Sequence, residues 1–166
     1  MLDLLVILER EMLKAPKVII HLEKNRGRGI YMWYKNLNQT SLLQNLYKDI
    51  PSLTNIVIRV IKIEDNGRRI SIHFDMSVYA DHPSEDWVEA GYNTVHITMK
   101  FFEIKELSMQ SLRPPYLGDI TINSVKGDLL NIQVHGSIEM SFKAFTGSIE
   151  NIDGYINNLF PTIYDL

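Results

Sequence analysis

The chain has 166 residues, 45% of them hydrophobic, which suits one folded domain with a real core and argues against disorder. It contains no cysteine, which excludes disulfides, thiolate metal sites and a cysteine nucleophile and fits a reducing compartment. The net charge of −3 is uneven: residues 1–31 hold 6 Lys/Arg against 4 Asp/Glu, whereas residues 32–166 hold 11 against 16. The larger part is therefore acidic by 5, which argues against phosphate-backbone binding and suits a basic partner or a solvated surface.

The opening Leu2, Leu4, Leu5, Val6, Ile7 and Leu8 is apolar, but Asp3 interrupts it and no basic segment precedes it. Glu9, Arg10 and Glu11 follow where a signal peptidase would need small residues, so a short helix over Asp3–Lys14, ending before Pro16, fits better than a signal peptide. No apolar run reaches the roughly 20 residues that span a bilayer, so no membrane role is expected. Two readings stand for residues 1–31. The codons of Arg26-Gly27-Arg28-Gly29 can be purine-rich AGG and GGA, which would place a ribosome-binding site just ahead of a natural start at Met32. Alternatively the segment is a basic N-terminal arm.

Residues 41–50 read as a short helix, with Thr40 or Ser41 as cap, Leu42, Leu43, Leu46, Tyr47 and Ile50 as the apolar stripe, and Pro51 as the stop. Ile56–Tyr79 organises the rest. Ile56–Ile63 is one β-branched run. In the second, Ile70, Ile72, Phe74, Met76 and Val78 alternate with Ser71, His73, Asp75, Ser77 and Tyr79. Asp65-Asn66-Gly67 between them predicts a tight hairpin turn, because Asn and Gly tolerate positive φ. Residues 80–86 are polar and read as a loop. A third strand is expected from Thr94 to Ile104, with Phe101-Phe102 marking a bulge or a stretch buried on both faces. Further runs follow at 118–123, 130–135 and 138–143, with Gly127-Asp128 as a turn. The last stretch, 149–166, reads as a short helix or an edge segment using Ile152, Tyr155 and Ile156. About six strands and one short helix predict a mostly β (α+β) fold: a single antiparallel sheet domain, sandwich-like or strongly curved, over residues 32–166.

Chemistry is sparse. No phosphate loop, nucleophile elbow or His-Glu-x-x-His pair is present. His73, His96 and His135 occupy polar-face positions, and on neighbouring strands they could converge with Asp75 or Glu139 into a metal or acid–base site; on separate strands they are surface residues. No catalytic, cofactor or metal site is assigned. The best surface candidate is Trp87 amid Asp81, Glu85, Asp86 and Glu89: an indole anchor beside carboxylates suits a protein interface, unless the indole folds back into the core.

From Met32 onward the sequence resembles the immunity protein 50 family. The resemblance lies in Met32-Trp33-Tyr34, in Leu43–Tyr47 running into Ile50–Leu53, in the hairpin Ile56–Phe74, and in Trp87–Val95 leading into Ile97–Phe102. It covers Met32 to about Asn157. It implies a cytoplasmic, non-enzymatic protein that binds and neutralises the C-terminal domain of a bacterial polymorphic toxin encoded beside it, by occlusion and with no cofactor. A nuclease toxin would suit the acidic balance. The residues leave open a rival, a β module binding a small ligand in an apolar cavity between sheet and helix, and they leave the oligomeric state open.

Overall fold

The computed structural model describes residues 32–158 except 112. The expected helix over Asp3–Lys14 and both readings of residues 1–31 lie outside the described residues, as does most of the stretch after Tyr155. Eight strands form one antiparallel sheet: β1 (Ile56–Glu64), β2 (Arg69–Asp75), β3 (Thr94–Phe102), β4 (Lys105–Ser111), β5 (Tyr116–Val125), β6 (Leu129–Gly136), β7 (Ile138–Ala144) and β8 (Thr146–Tyr155). Their order across the sheet is β4-β7-β6-β5-β1-β2-β3-β8. Two short helices accompany them, α1 (Ser41–Leu46) and α2 (Glu85–Glu89). Among the described residues no helix is long and apolar enough to cross a membrane.

The sheet is strongly curved, and its two halves close on one another. At the centre β1 and β5 share only three residue pairs, Ile56 to Ile58 against Tyr116 to Gly118. The seam divides β4-β7-β6-β5 from β1-β2-β3-β8. Phe101 on β3 and Phe142 on β7 are five strands apart in the order, yet their rings meet edge-to-face at 5.3 Å. The inner faces of the halves therefore pack together as the layers of a sandwich do. Alternation builds that core. Val95, Ile97, Met99 and Phe101 of β3 are all fully buried, as are Ile70, Ile72 and Phe74 of β2, and Ile132, Val134, Phe142 and Ala144 come from the other half.

Several expectations change in detail. The hairpin turn is a four-residue loop, since Glu64 pairs with Arg69; Asp65, Asn66 and Gly67 all take positive φ there. β2 stops at Asp75 because the chain leaves the sheet after the Met76 N–H bonds the Val95 carbonyl. Met76 is still buried, but Val78 is 47% exposed and off the strand. The expected helix over 41–50 ends at Leu46. Tyr47 is extended, buries its ring and sends its hydroxyl to the Val78 carbonyl at 2.8 Å, a tertiary pull that six marginal residues do not resist. Thr40 caps nothing, because its own helical φ/ψ points the hydroxyl away from the free N–H groups. Phe101-Phe102 is regular strand, with the first ring inside and the second half-buried outside. The irregularity in β3–β8 pairing lies at Thr98/Met99, opposite an extra residue in β8. Two strands exceed the expected six. β4 is an edge strand exposed along its whole length, and β8 is the opposite edge, which settles the final stretch as strand as far as Tyr155.

Candidate functional site

Two features share one end of the β1-β2-β3-β8 half. The first is on the outward face. Asp75 ends β2 and pairs with His96 of β3, which pairs with Asp153 of β8. Arg59 occupies a bulge in β1, between Ile58 and Val60, that aims its side chain at Asp75. The Asp75 carboxylate is 2% exposed and serves as a hub. Its Oδ2 accepts from Arg59 Nε at 2.5 Å and from the Tyr155 hydroxyl at 2.6 Å, while Oδ1 lies 2.8 Å from His96 Nδ1. Arg59 Nη2 also donates to the Tyr155 oxygen at 3.1 Å. Burial pushes the Asp75 pKa up, but hydrogen bonds from His96, Tyr155 and Arg59, with the charge of Arg59, outweigh it and hold it below the usual carboxylate range. Burial and the Asp75 carboxylate raise the Tyr155 phenol. The carboxylate joins four strands and is spent on holding them.

The histidines converge in part. His73 lies beside His96, ring centroids 6.1 Å apart, with Nδ1 3.2 Å from the Thr98 hydroxyl. Burial lowers the His73 pKa, and Lys62, His96 and Lys100 lower it further. His135 is elsewhere, on β6, paired with Glu139 at 2.9 Å. The three imidazoles therefore do not form one centre, because β6 belongs to the other half of the sheet. Among the described residues no group of three or more His, Asp or Glu side chains is placed to hold a metal ion. Asp75 can fix His96 as an acid–base dyad would, but the pair sits on the outward face of the sheet and Asp75 is shared with Arg59. Glu103 and Glu106 are tied to Arg68 at 3.9 Å and Lys143 at 2.5 Å.

The second feature is the rim around α2. Ser84 caps this helix properly: its φ/ψ is extended and its hydroxyl accepts from the Trp87 N–H at 3.4 Å. A Ser followed by two acidic residues is a helix-start signal that the loop reading of 80–86 passed over. The cap puts Glu85 and Asp86 in the first turn, where the helix dipole favours them. Glu85, Asp86 and Glu89 are exposed, with Val88 63% exposed beside them. Trp87 turns inward and is half-buried between Tyr79 and Tyr92, with ring centroids at 6.5 and 6.2 Å. A Cβ on Gly154 would stand 2.7 Å from its ring, so the indole roofs that glycine of β8. Asp81 is exposed and accepts from the Lys48 N–H at 3.0 Å. Among the described residues, none of these four carboxylates has an ion-pair partner.

Charge is concentrated here. From Ile70 to Met99 there are five acidic residues (Asp75, Asp81, Glu85, Asp86 and Glu89) and no Lys or Arg. The remainder of 32–166 has 11 Lys/Arg against 11 Asp/Glu, so this one segment carries the whole acidic excess of 5. A groove of about 350 Å³ runs alongside, between Gln39, Ser41 and Leu42 and the β8 residues Ile149 to Ile152. It lies open at the sheet edge, unlike the enclosed apolar cavity a small-ligand module would need.

Fold and site together define a mostly β, single-sheet protein with an acidic rim at one end. The family described as immunity protein 50 matches residues 39–155, well over half the chain, and the chain belongs to that family. A comparison with curated proteins gives no match. Among solved structures, the chain is similar to the crystal structure of an uncharacterized protein from Neisseria gonorrhoeae. That match has 14% identity and a TM-score of 0.41, and covers 59% of this chain and 92% of the other.

Proposed function

We propose that this protein binds a cognate bacterial toxin domain in the cytoplasm and neutralises it by covering its active face, without catalysis. Membership of the immunity protein 50 family carries this reading. The partner surface we assign is the rim of Asp81, Glu85, Asp86 and Glu89 around the half-buried Trp87. Its unpaired carboxylates suit a cationic toxin face, such as the substrate-binding surface of a nuclease. Trp87 holds the rim in place from beneath, so the exposed acids are the residues to perturb.

The test is co-expression of residues 32–166 with the C-terminal toxin domain encoded by the neighbouring gene, scored by host survival and then by co-purification. Survival with a stable complex is expected. The triple variant Glu85→Lys, Asp86→Lys, Glu89→Lys should then weaken the complex by at least about tenfold at low salt, chiefly through slower association, and the loss should shrink as ionic strength rises. Host death despite soluble expression would defeat the reading for that pair, and an unchanged affinity in the folded triple variant would remove the rim from the interface.

A further inference from the structure

We propose that the open half of β8 receives an extended, cationic segment of the partner as an added strand, alongside Ile152–Tyr155. The partner's identity rests on the toxin-binding reading above; the edge itself does not.

Backbone directions locate the opening. The Met76 N–H bonds the Val95 carbonyl, so the polar groups of Val95 face β2, and those of Thr94 and His96 face β8. Their register partners Tyr155 and Asp153 are thereby engaged, which turns the N–H and C=O groups of Gly154 and Ile152 to the outside. The N-terminal half of this edge is already closed. The Asn38 N–H bonds the Gly147 carbonyl at 2.9 Å and the Ile149 N–H bonds the Asn38 carbonyl at 3.1 Å, a parallel bridge of one residue. Beyond it, among the described residues, no backbone pairs with Ile152. Among the described residues the outward Gly154 N–H is met only by the carboxylate of its own neighbour, Asp153 Oδ1, at 2.8 Å. The groove of about 350 Å³ between Leu42 and Ile149–Ile152 prolongs the path.

Charge selects the occupant. Successive side chains of an added strand point to opposite faces of the sheet. On one face they would meet the exposed Asp153. On the other lies α2, whose Trp87 roofs Gly154 and whose Glu85, Asp86 and Glu89 are unpaired. One row of a guest strand thus runs past the Asp153 carboxylate and the other past the aromatic roof of Gly154, with the acidic α2 adding negative charge at the same end, which favours Lys or Arg alternating with apolar residues. Main-chain hydrogen bonds would supply the attachment and the carboxylates the selection, as in other strand-addition complexes.

Two arms test this on the full chain by amide hydrogen exchange at Ile152 and Gly154. In the first, a synthetic ten-residue peptide of alternating Lys and Val is added, with a Glu–Val peptide as control. The Lys–Val peptide should slow exchange at Ile152 by about tenfold at saturation, the effect of one new backbone hydrogen bond. The Glu–Val peptide should leave it unchanged, and Asp153→Lys should abolish the response. Unaltered exchange with millimolar Lys–Val peptide, or equal protection by both peptides, overturns the proposal. In the second arm the co-purified toxin complex replaces the peptide. Protection of Ile152 and Gly154 there places the toxin on the edge. A complex that leaves both amides exchanging as in the free protein overturns strand addition while the immunity reading stands. Failure to form any complex defeats that reading, with the edge still decided by the peptides.

Discussion

Replacing Asp75 by Asn tests the outward hub directly, because the shape is kept and the charge is lost. The carboxylate accepts from Arg59 and Tyr155 on one oxygen and faces His96 on the other. In Asp75→Asn the remaining carbonyl can still accept from Arg59 and Tyr155, and the new amide can face His96 once its Nδ1 is unprotonated. Two charge-assisted bonds become neutral-acceptor bonds, each weaker by about 1 kcal/mol, so a loss of about 2 kcal/mol is expected at neutral pH. Asp75→Ala removes the acceptor of Arg59 and Tyr155 and the partner of His96 together; about 3–5 kcal/mol is expected from the hydrogen bonds lost. Urea unfolding followed by tryptophan fluorescence measures both, and the smaller loss lowers the midpoint by roughly 1 M. The pH dependence has a definite sign. The folded pKa of Asp75 is depressed, so its stabilisation is fully present above the unfolded value of about 3.9 and is lost as pH falls through the folded value. The gap between wild type and Asp75→Asn should therefore narrow below about pH 4. A variant as stable as wild type at pH 7, or a gap that fails to narrow below about pH 4, would refute the hub.

Two further substitutions probe the framework. Phe142→Ala removes half of the ring contact that ties β7 to β3 across the core and should cost about 3–5 kcal/mol, read from the same urea curves; a loss under about 1 kcal/mol would mean that the halves do not rely on this packing. Gly136→Ala places a Cβ 2.1 Å from the Leu117 carbonyl oxygen and 2.6 Å from the Gly118 Cα, at a φ of +156°. The neighbours are backbone and cannot swing aside, so a loss of about 3 kcal/mol or faster exchange of the β5–β6 amides is expected; neither change would contradict the close approach of the two glycines.

The strands that sequence patterning finds are those with a simple period. β3 alternates without a fault, and its apolar positions are all at the core. β8 was ambiguous for a physical reason. Ile149 and Ile152 are three apart, a helical spacing, yet both are buried on the same face because the extra residue at Glu150 resets the phase. A bulge is set by the partner strand and leaves no mark in a single sequence. β4 offers only Leu107 and Met109, both exposed, so burial never shaped its pattern. The acidic rim was legible as residues, and the resemblance to the immunity family pointed to its use. The inward turn of Trp87 was one of two open readings, and it depends on Gly154, 67 positions later, leaving room for the ring. His96 and Asp75 were placed on polar faces, but their meeting needed the β2–β3 register, and the bulge that brings Arg59 to them could not be read from its neighbours.

The order of the sheet also fixes an order in time. β8 is the last described strand, and its partner β3 leaves the ribosome some forty residues earlier, with β4 to β7 made in between. Until Thr146–Tyr155 emerges, the flank of β3 that β8 will cover has no mate, and the floor beneath Trp87 does not exist. A nascent or prematurely terminated chain can complete β4 to β7, which are contiguous, while lacking every edge group to which a guest strand would bind. On the proposed reading, partner binding begins only once β8 has been made, so nonsense mutations anywhere before β8 should abolish binding.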